Sequence, residues 1–223
     1  MDFVQAPDFF ESLKDDEHVF LLIRHGERRH ITPEDPDFGA HVGLTDKGRE
    51  QALSLGKSIP VEGDMCFYSS PVGRCMETAR CIGEGRGLCD VFVEPLDCLG
   101  DFFVQNHDEF EKVLRAGFYE GISAWLDNEA SGVPRNGEEA FCPLAERSEE
   151  MLSMMLEKGN VRFNIFATHD AWVVPCLSYF CKMRFTPQRW MNYLTGMAVV
   201  TDAQKRVLRI VPVTAIENGW LKF

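Results

Sequence analysis

Three separated segments of this 223-residue chain bring histidine and arginine together: Arg24-His25-Gly26-Glu27-Arg28, Ser69-Ser70-Pro71-Val72-Gly73-Arg74 and Thr168-His169-Asp170. A site made from two or three guanidiniums and two imidazoles suits a phosphoryl group, because arginine's planar fork pairs with phosphate oxygens and stays charged. Imidazole is also a good nucleophile near neutral pH. Taken alone, a His-Gly dipeptide after an apolar run is more often a loop histidine than a nucleophile, and it is the other two segments that reverse this balance. Ser69 and Ser70 offer hydroxyls, but no GxSxG elbow surrounds them and Ser70-Pro71 reads as a helix start, so a serine hydrolase is rejected.

For these segments to meet, each must finish a strand at the same edge of one sheet. His18 to Ile23 is a nearly continuous apolar run, the pattern of a strand covered on both faces, and it leads straight into Arg24-His25-Gly26. Ile31 to Gly43 has breakers and no period, which predicts an exposed loop. Thr45 then caps a helix whose Ala52, Leu55 and Ile59 repeat at helical spacing. Asp64 to Tyr68 is a second strand, after which Ser70 as N-cap and Pro71 at the first helical position put Arg74 in a helix's first turns. Val91 to Val93 gives a third strand. The middle, from about Asn106 to Glu157, is mostly helical, with breaks at Ser131-Gly132-Val133-Pro134 and Asn136-Gly137. Phe163 to Ala167 forms a strand that ends in Thr168-His169-Asp170, an apolar helix follows over Ala171 to Tyr179, and strands fit Met197 to Thr201 and Val207 to Val211. Alternating strands and helices predict an α/β fold with helices on both faces of the sheet and a ligand outside the carboxyl ends of the strands.

A net charge of -12 opposes long-range attraction to nucleic acid or an anionic membrane, so the anion site must be local and the expected partner is a small phosphorylated substrate. The oligomeric state is not legible. Eight cysteines (Cys66, Cys75, Cys81, Cys89, Cys98, Cys142, Cys176, Cys181) lack CxxC pairs or zinc-type Cys/His spacing, and read as buried thiols of a reducing compartment. With neither the basic and apolar regions of a signal peptide nor an apolar run long enough to cross a bilayer, a cytoplasmic protein is expected. Trp125, Trp172, Trp190 and Phe102-Phe103 read as core before ligand contacts. His18, His30, His41 and His107 have no motif support.

Arg24-His25-Gly26 resembles the RHG signature of the histidine phosphatase superfamily, the phosphoglycerate-mutase-like proteins. Leu44-Thr45-Asp46-Lys47-Gly48-Arg49-Glu50-Gln51-Ala52 is similar to that family's LTxxGxxQA helix start. Ser69 to Arg74 with Glu77-Thr78-Ala79 is similar to its SSPxxRxxxTA segment, and His169 fits its late histidine. The motifs run from about Phe20 to Leu177, and their combination is highly specific where an isolated RHG is weak. The resemblance implies a three-layer α/β/α fold with a mostly parallel central sheet: a single domain over 1–223, with a mostly helical cap or insertion around 97–140. It implies that neutral His25 attacks phosphorus to form a phosphohistidine that water hydrolyses, while Arg24, Arg74 and His169 hold the equatorial oxygens. No metal or other cofactor is then required.

The family's two branches each claim part of the sequence. Arg28 fits the RHGxR of the acid-phosphatase and phytase branch and is a candidate phosphate contact, yet His30 stands where that branch has proline, and Leu44 to Ala52 looks like the smaller mutase-like branch. The general acid divides in the same way. His169-Asp170 matches the first branch's His-Asp pair and makes Asp170 the preferred donor, whereas Leu99-Gly100-Asp101 roughly fits the second branch's mid-chain carboxylate and makes Asp101 the alternative. A phosphatase is the leading function. A phosphoglycerate-type mutase, a phosphohistidine phosphatase and a silent phosphate-binding regulatory domain are the alternatives.

Overall fold

The computed structural model describes residues 2–32 and 35–221, apart from the Phe38 side chain. Its elements run β1 (Val4–Gln5), α1 (Ala6–Glu11), β2 (His18–Arg24), α2 (Asp46–Ser58), β3 (Met65–Ser69), α3 (Gly73–Gly85), β4 (Glu94–Pro95), α4 (His107–Ala130), α5 (Leu144–Lys158), β5 (Phe163–Thr168), α6 (Asp170–Cys181), β6 (Thr195–Thr201) and β7 (Val207–Thr214). The strands form one sheet in the order β1-β7-β6-β2-β5-β3-β4. Only the β2–β6 and β6–β7 pairs are antiparallel, so the sheet is mostly parallel as predicted.

Register is what assembles the site. β2 pairs with β5 from Val19↔Phe163 to Arg24↔Thr168, and β3 pairs with β5 up to Ser69↔Ala167. The three parallel strands therefore end level, and the residues that follow them emerge side by side. Two backbone bonds extend the ladder past the strand ends, from His25 N to Thr168 O (2.9 Å) and from Ser70 N to Ala167 O (3.0 Å).

Alternation along β2 fills both faces. Phe20 and Leu22 join Phe166, Trp172, Leu177, Met151 and Met155 under α4, α5 and α6, while Val19, Leu21 and Ile23 join Phe9, Ala52, Leu55 and Ile82 under α1, α2 and α3. Each layer buries a sheet face, giving the three-layer α/β/α architecture.

Several local expectations are corrected. Val91 to Val93 is not a strand: β4 begins only at Glu94, at the sheet's outer edge, and in the segment before it Val93 is buried while Phe92 is 78% exposed. The helix expected to start at Ser70-Pro71 starts at Gly73, with Val72 as its N-cap, while the Ser70 hydroxyl accepts from Val72 N (3.4 Å) and also meets His169 Nε2. The loop from Ile31 to Gly43 holds a 3₁₀ turn at Pro36–Gly39 and buries Gly39 and Val42, so it is not simply exposed. Nor are the cysteines uniformly buried: Cys89 and Cys98 are exposed, and Cys66 and Cys142 half-buried. β1 and α1 carried no sequence signal strong enough to predict. The mostly helical middle is present as α4 and α5, with α4 kinked at Gly117, where φ is 148°. Among the described residues, no helix is long and apolar enough to cross a membrane.

Candidate active site

His25 leaves the end of β2 in a loop clamped by α2 and α3. Thr45 caps α2 by accepting from Gly48 N (3.0 Å), and its own backbone N–H reaches Glu27 O (2.9 Å). This draws the first turn of α2 onto the loop so closely that a Cβ on Gly48 would stand 2.3 Å from Glu27 O, and one on Gly26 2.9 Å from Gly48 O. Thr78 of α3 accepts from Gly26 N (2.9 Å). The glycines and threonines of the motifs thus hold the loop and do no chemistry themselves.

The His25 side chain is 1% exposed. Its Nδ1 lies 2.8 Å from Gly26 O, an atom that can only accept, so Nδ1 carries the hydrogen. Nε2 keeps its lone pair and accepts from Arg74 Nε at 3.2 Å. Burial, followed by the neighbouring His169, Arg24 and Arg74, pushes the imidazole's pKa well below the ordinary histidine value. His169 packs edge-on at 5.6 Å between ring centroids. Its Nδ1 accepts from Arg74 Nη2 (3.4 Å), so Nε2 donates to Ser70 Oγ (3.1 Å). Burial and then Arg74 take its pKa down to about 3. Arg74 spends its third group on Gly39 O at 2.9 Å, which is how the loop after His25 closes on the site.

Arg24 is equally buried. Its Nη1 donates to Met191 O (2.7 Å), Nη2 pairs with Asp170 Oδ2 (3.1 Å), the guanidinium lies 4.2 Å over the Tyr193 ring, and Nε has no partner. Asp170 accepts a second bond, from Trp190 Nε1 at 2.9 Å. Burial raises its pKa, but Arg24 and the indole N–H outweigh burial and hold the carboxyl below the usual range. Such a group anchors Arg24 and is poorly suited to give up a proton near neutral pH, which argues against the sequence preference for Asp170 as acid.

The structure therefore brings His25, Arg24, Arg74, His169 and Asp170 into one cluster. Arg28 stands at its rim, half-buried, with Nη1 on Arg29 O, Nε unpartnered, and its charge felt by His169, Asp170 and Arg74. Asp101 reaches the same sheet edge, since Thr168 Oγ1 donates to Leu99 O (2.7 Å) and Trp172 Nε1 to Gly100 O (2.9 Å), but its half-exposed carboxylate lies 3.5 Å from His107. Sequence reasoning missed the Ser70 and Gly39 contacts, the Met191 carbonyl, Tyr193, and the polar role of Trp190, a buried core residue whose indole N–H also serves Asp170. Among the described residues, no three His, Cys, Asp or Glu side chains gather as a metal site would require.

The chain is 29% identical over 139 residues to the adenosylcobalamin/alpha-ribazole phosphatase of Salmonella typhimurium, a match covering 60% of this chain and 65% of that protein. It is 32% identical over 74 residues to the "Probable phosphoglycerate mutase GpmB" of Cronobacter sakazakii, covering 33% and 34%. The matches thus span about a third to just under two thirds of these relatives' own lengths. The crystal structure of phosphoserine phosphatase from Entamoeba histolytica shares the fold with a TM-score of 0.52 at 18% identity, over 89% of this chain and 98% of that one. The family profile described as histidine phosphatase superfamily (branch 1) matches residues 20–211, and with the motifs and the clustered residues now located, the chain belongs to that superfamily.

Proposed function

We propose that this protein hydrolyses a small phosphomonoester without a metal ion, through a phosphohistidine formed on His25 Nε2. The observation that carries the reading is the fixed tautomer: Gly26 O takes the Nδ1 hydrogen, which leaves a neutral, desolvated Nε2 lone pair inside a ring of guanidiniums. In the first step the lone pair forms the N–P bond while the P–O bond to the alcohol breaks, and the leaving oxygen takes a proton. Water then forms a new P–O bond and gives a proton back to the carboxylate that protonated the leaving oxygen, and the N–P electron pair returns to the imidazole. Arg74 and Arg24 offer donors and positive charge to the equatorial oxygens, with Arg28 at the rim; neutral His169 would lend its Nε2 hydrogen by exchanging Ser70 Oγ for a substrate oxygen.

We assign proton delivery to Asp101, because Asp170 is committed to Arg24 and Trp190, whereas the Asp101 carboxylate has His107 as its close ionisable neighbour. Residues 97–140, which carry α4, are read as a cap: Phe118 and Tyr119 pack on Trp190, whose indole holds Asp170. Hydrolysis is preferred over mutase chemistry because the relative named as a phosphatase matches 60% of this chain and the one named as a mutase 33%. The reading takes the protein as cytoplasmic, in keeping with eight free thiols.

Release of phosphate from p-nitrophenyl phosphate in the presence of chelator tests the proposal. Wild type is expected to remain active, and His25→Ala to lose at least about 10³-fold in kcat. Undiminished turnover by His25→Ala sinks it. A requirement for bisphosphate priming would favour the mutase, and turnover confined to phosphoramidates would favour a phosphohistidine phosphatase.

A further inference from the structure

The Arg24 guanidinium is held on three sides, and of the groups that hold it Met191, Tyr193 and, behind Asp170, Trp190 are marked by no motif. Nη1 is bound to the Met191 carbonyl at 2.7 Å, one face lies 4.2 Å over the Tyr193 ring, and Nη2 pairs at 3.1 Å with Asp170, which is itself fixed by Trp190 Nε1 at 2.9 Å. The remaining donor, Nε, is buried without a partner in a side chain 1% exposed. An unmet buried donor on a charged group is costly, which marks it as a place for a ligand oxygen. The same segment supports the nucleophile: the Tyr193 ring lies 5.8 Å from His25, its hydroxyl donates to Arg28 O (3.5 Å), and Leu194 N donates to His25 O (3.4 Å). Leu194 holds this position in the left-handed region, at φ 46°, a conformation that costs energy and is kept only where its surroundings enforce it.

We infer that Trp190 and Tyr193 are positioning residues of the phosphoryl site, locking Arg24 so that it presents Nε alone to the phosphoryl group while its fork stays bound to the protein. This rests on the phosphoryl-transfer reading above. The fork's two nitrogens are each anchored, by a backbone carbonyl and a carboxylate, so Nε is the one nitrogen of Arg24 without a partner among the described residues, and the charge is fixed in place. Tyr193 supplies a rigid aromatic face and not an acid, so its ring matters more than its hydroxyl.

The test measures the affinity of inorganic phosphate, by its protection against thermal unfolding, alongside p-nitrophenyl phosphate kinetics in wild type, Tyr193→Leu, Tyr193→Phe and Trp190→Phe. Tyr193→Leu is expected to weaken phosphate binding and raise KM by about tenfold, with kcat within about threefold, the signature of binding lost equally in ground and transition states. Tyr193→Phe, which keeps the ring, recovers affinity to within about threefold of wild type. Trp190→Phe keeps the aromatic volume but takes one donor from Asp170, and weakens phosphate binding by about threefold to tenfold. Wild-type phosphate affinity in Tyr193→Leu or in Trp190→Phe overturns the assignment, as does a Tyr193→Phe protein as impaired as Tyr193→Leu. Should Tyr193→Leu fail to fold, Trp190→Phe and Tyr193→Phe decide. Wild type that binds phosphate but hydrolyses nothing refutes the proposed function and leaves the affinity ratios to judge the positioning role; wild type that binds no phosphate overturns both.

Discussion

Asp170→Asn separates an anchoring carboxylate from a catalytic acid. At 3.1 Å, the attraction between Arg24 and Asp170 is about 5 kcal/mol at an effective dielectric of 20, close to the 3–5 kcal/mol typically lost when one partner of a buried pair is removed. Arg24 and Trp190 both meet Oδ2, while Oδ1 accepts from Ala171 N (3.2 Å), so asparagine keeps the first two bonds only by turning its amide nitrogen onto the Ala171 N–H, and with the charge also gone the expected loss is about 3 kcal/mol. For a chain of this size that lowers Tm by about 6–12 °C. In kinetics, a displaced Arg24 harms every substrate alike, whereas a missing general acid harms only substrates whose leaving alkoxide needs a proton. The assay is kcat/KM with p-nitrophenyl phosphate and with an alkyl phosphate. Asp170→Asn should depress both by the same factor, and Asp101→Asn should depress the alkyl phosphate by about 10²-fold more than the aryl one. A selective loss on the alkyl substrate in Asp170→Asn, with Tm unchanged, would refute the reasoning and restore Asp170 as the donor.

The depressed pKa of His169 makes stability depend on pH. Its folded value of about 3 lies below the unfolded value of 6.5, so the unfolded chain binds the proton first and stability falls as pH drops below 6.5. The cost from His169 reaches about 3 kcal/mol at pH 4.5, read from urea midpoints; His25, also held well below 6.5, adds to the same slope, so His169→Gln should reduce the slope without abolishing it, while Asp170 acts only below its ordinary value of 3.8. Gly48→Ala would drive a Cβ to 2.3 Å from the Glu27 carbonyl, so the loop must move; kcat should fall at least about tenfold and Tm should drop, and wild-type kinetics would show that the close approach is not needed. Thr45→Ala removes the N-cap of α2 and should cost about 1 kcal/mol in denaturant unfolding, with a small loss of activity.

What could be read from the sequence was what depends on short spacing. Apolar runs ending in RHG, SSP and THD marked three strands, and because parallel strands β2, β5 and β3 end level, each run's terminal residues fell at one edge. The Thr45 cap was legible because it lies within four residues of the helix it starts. Contacts made across long sequence separations were not. Gly39 and Met191 meet Arg74 and Arg24 through backbone carbonyls, which have no side-chain signature, and Trp190 looked like core because it is core, with only its indole N–H serving Asp170. The Ser70 hydroxyl was only half read: its bond to Val72 N is the local turn contact that a serine before proline signals, and its second partner, His169, comes from a distant segment.

The same cluster bears on how a chain of net charge -12 could build the proposed anion site. Within the cluster stand the guanidiniums of Arg24, Arg28 and Arg74 and the single carboxylate of Asp170, with both imidazoles neutral. Two positive charges are left unbalanced, matching a phosphomonoester dianion. The same burial and guanidiniums that create this charge keep His25 unprotonated. On the proposed reading, the field that would bind the dianion is thus also the field that keeps Nε2 unprotonated, and a site with fewer guanidiniums around His25 would lose affinity and nucleophile together.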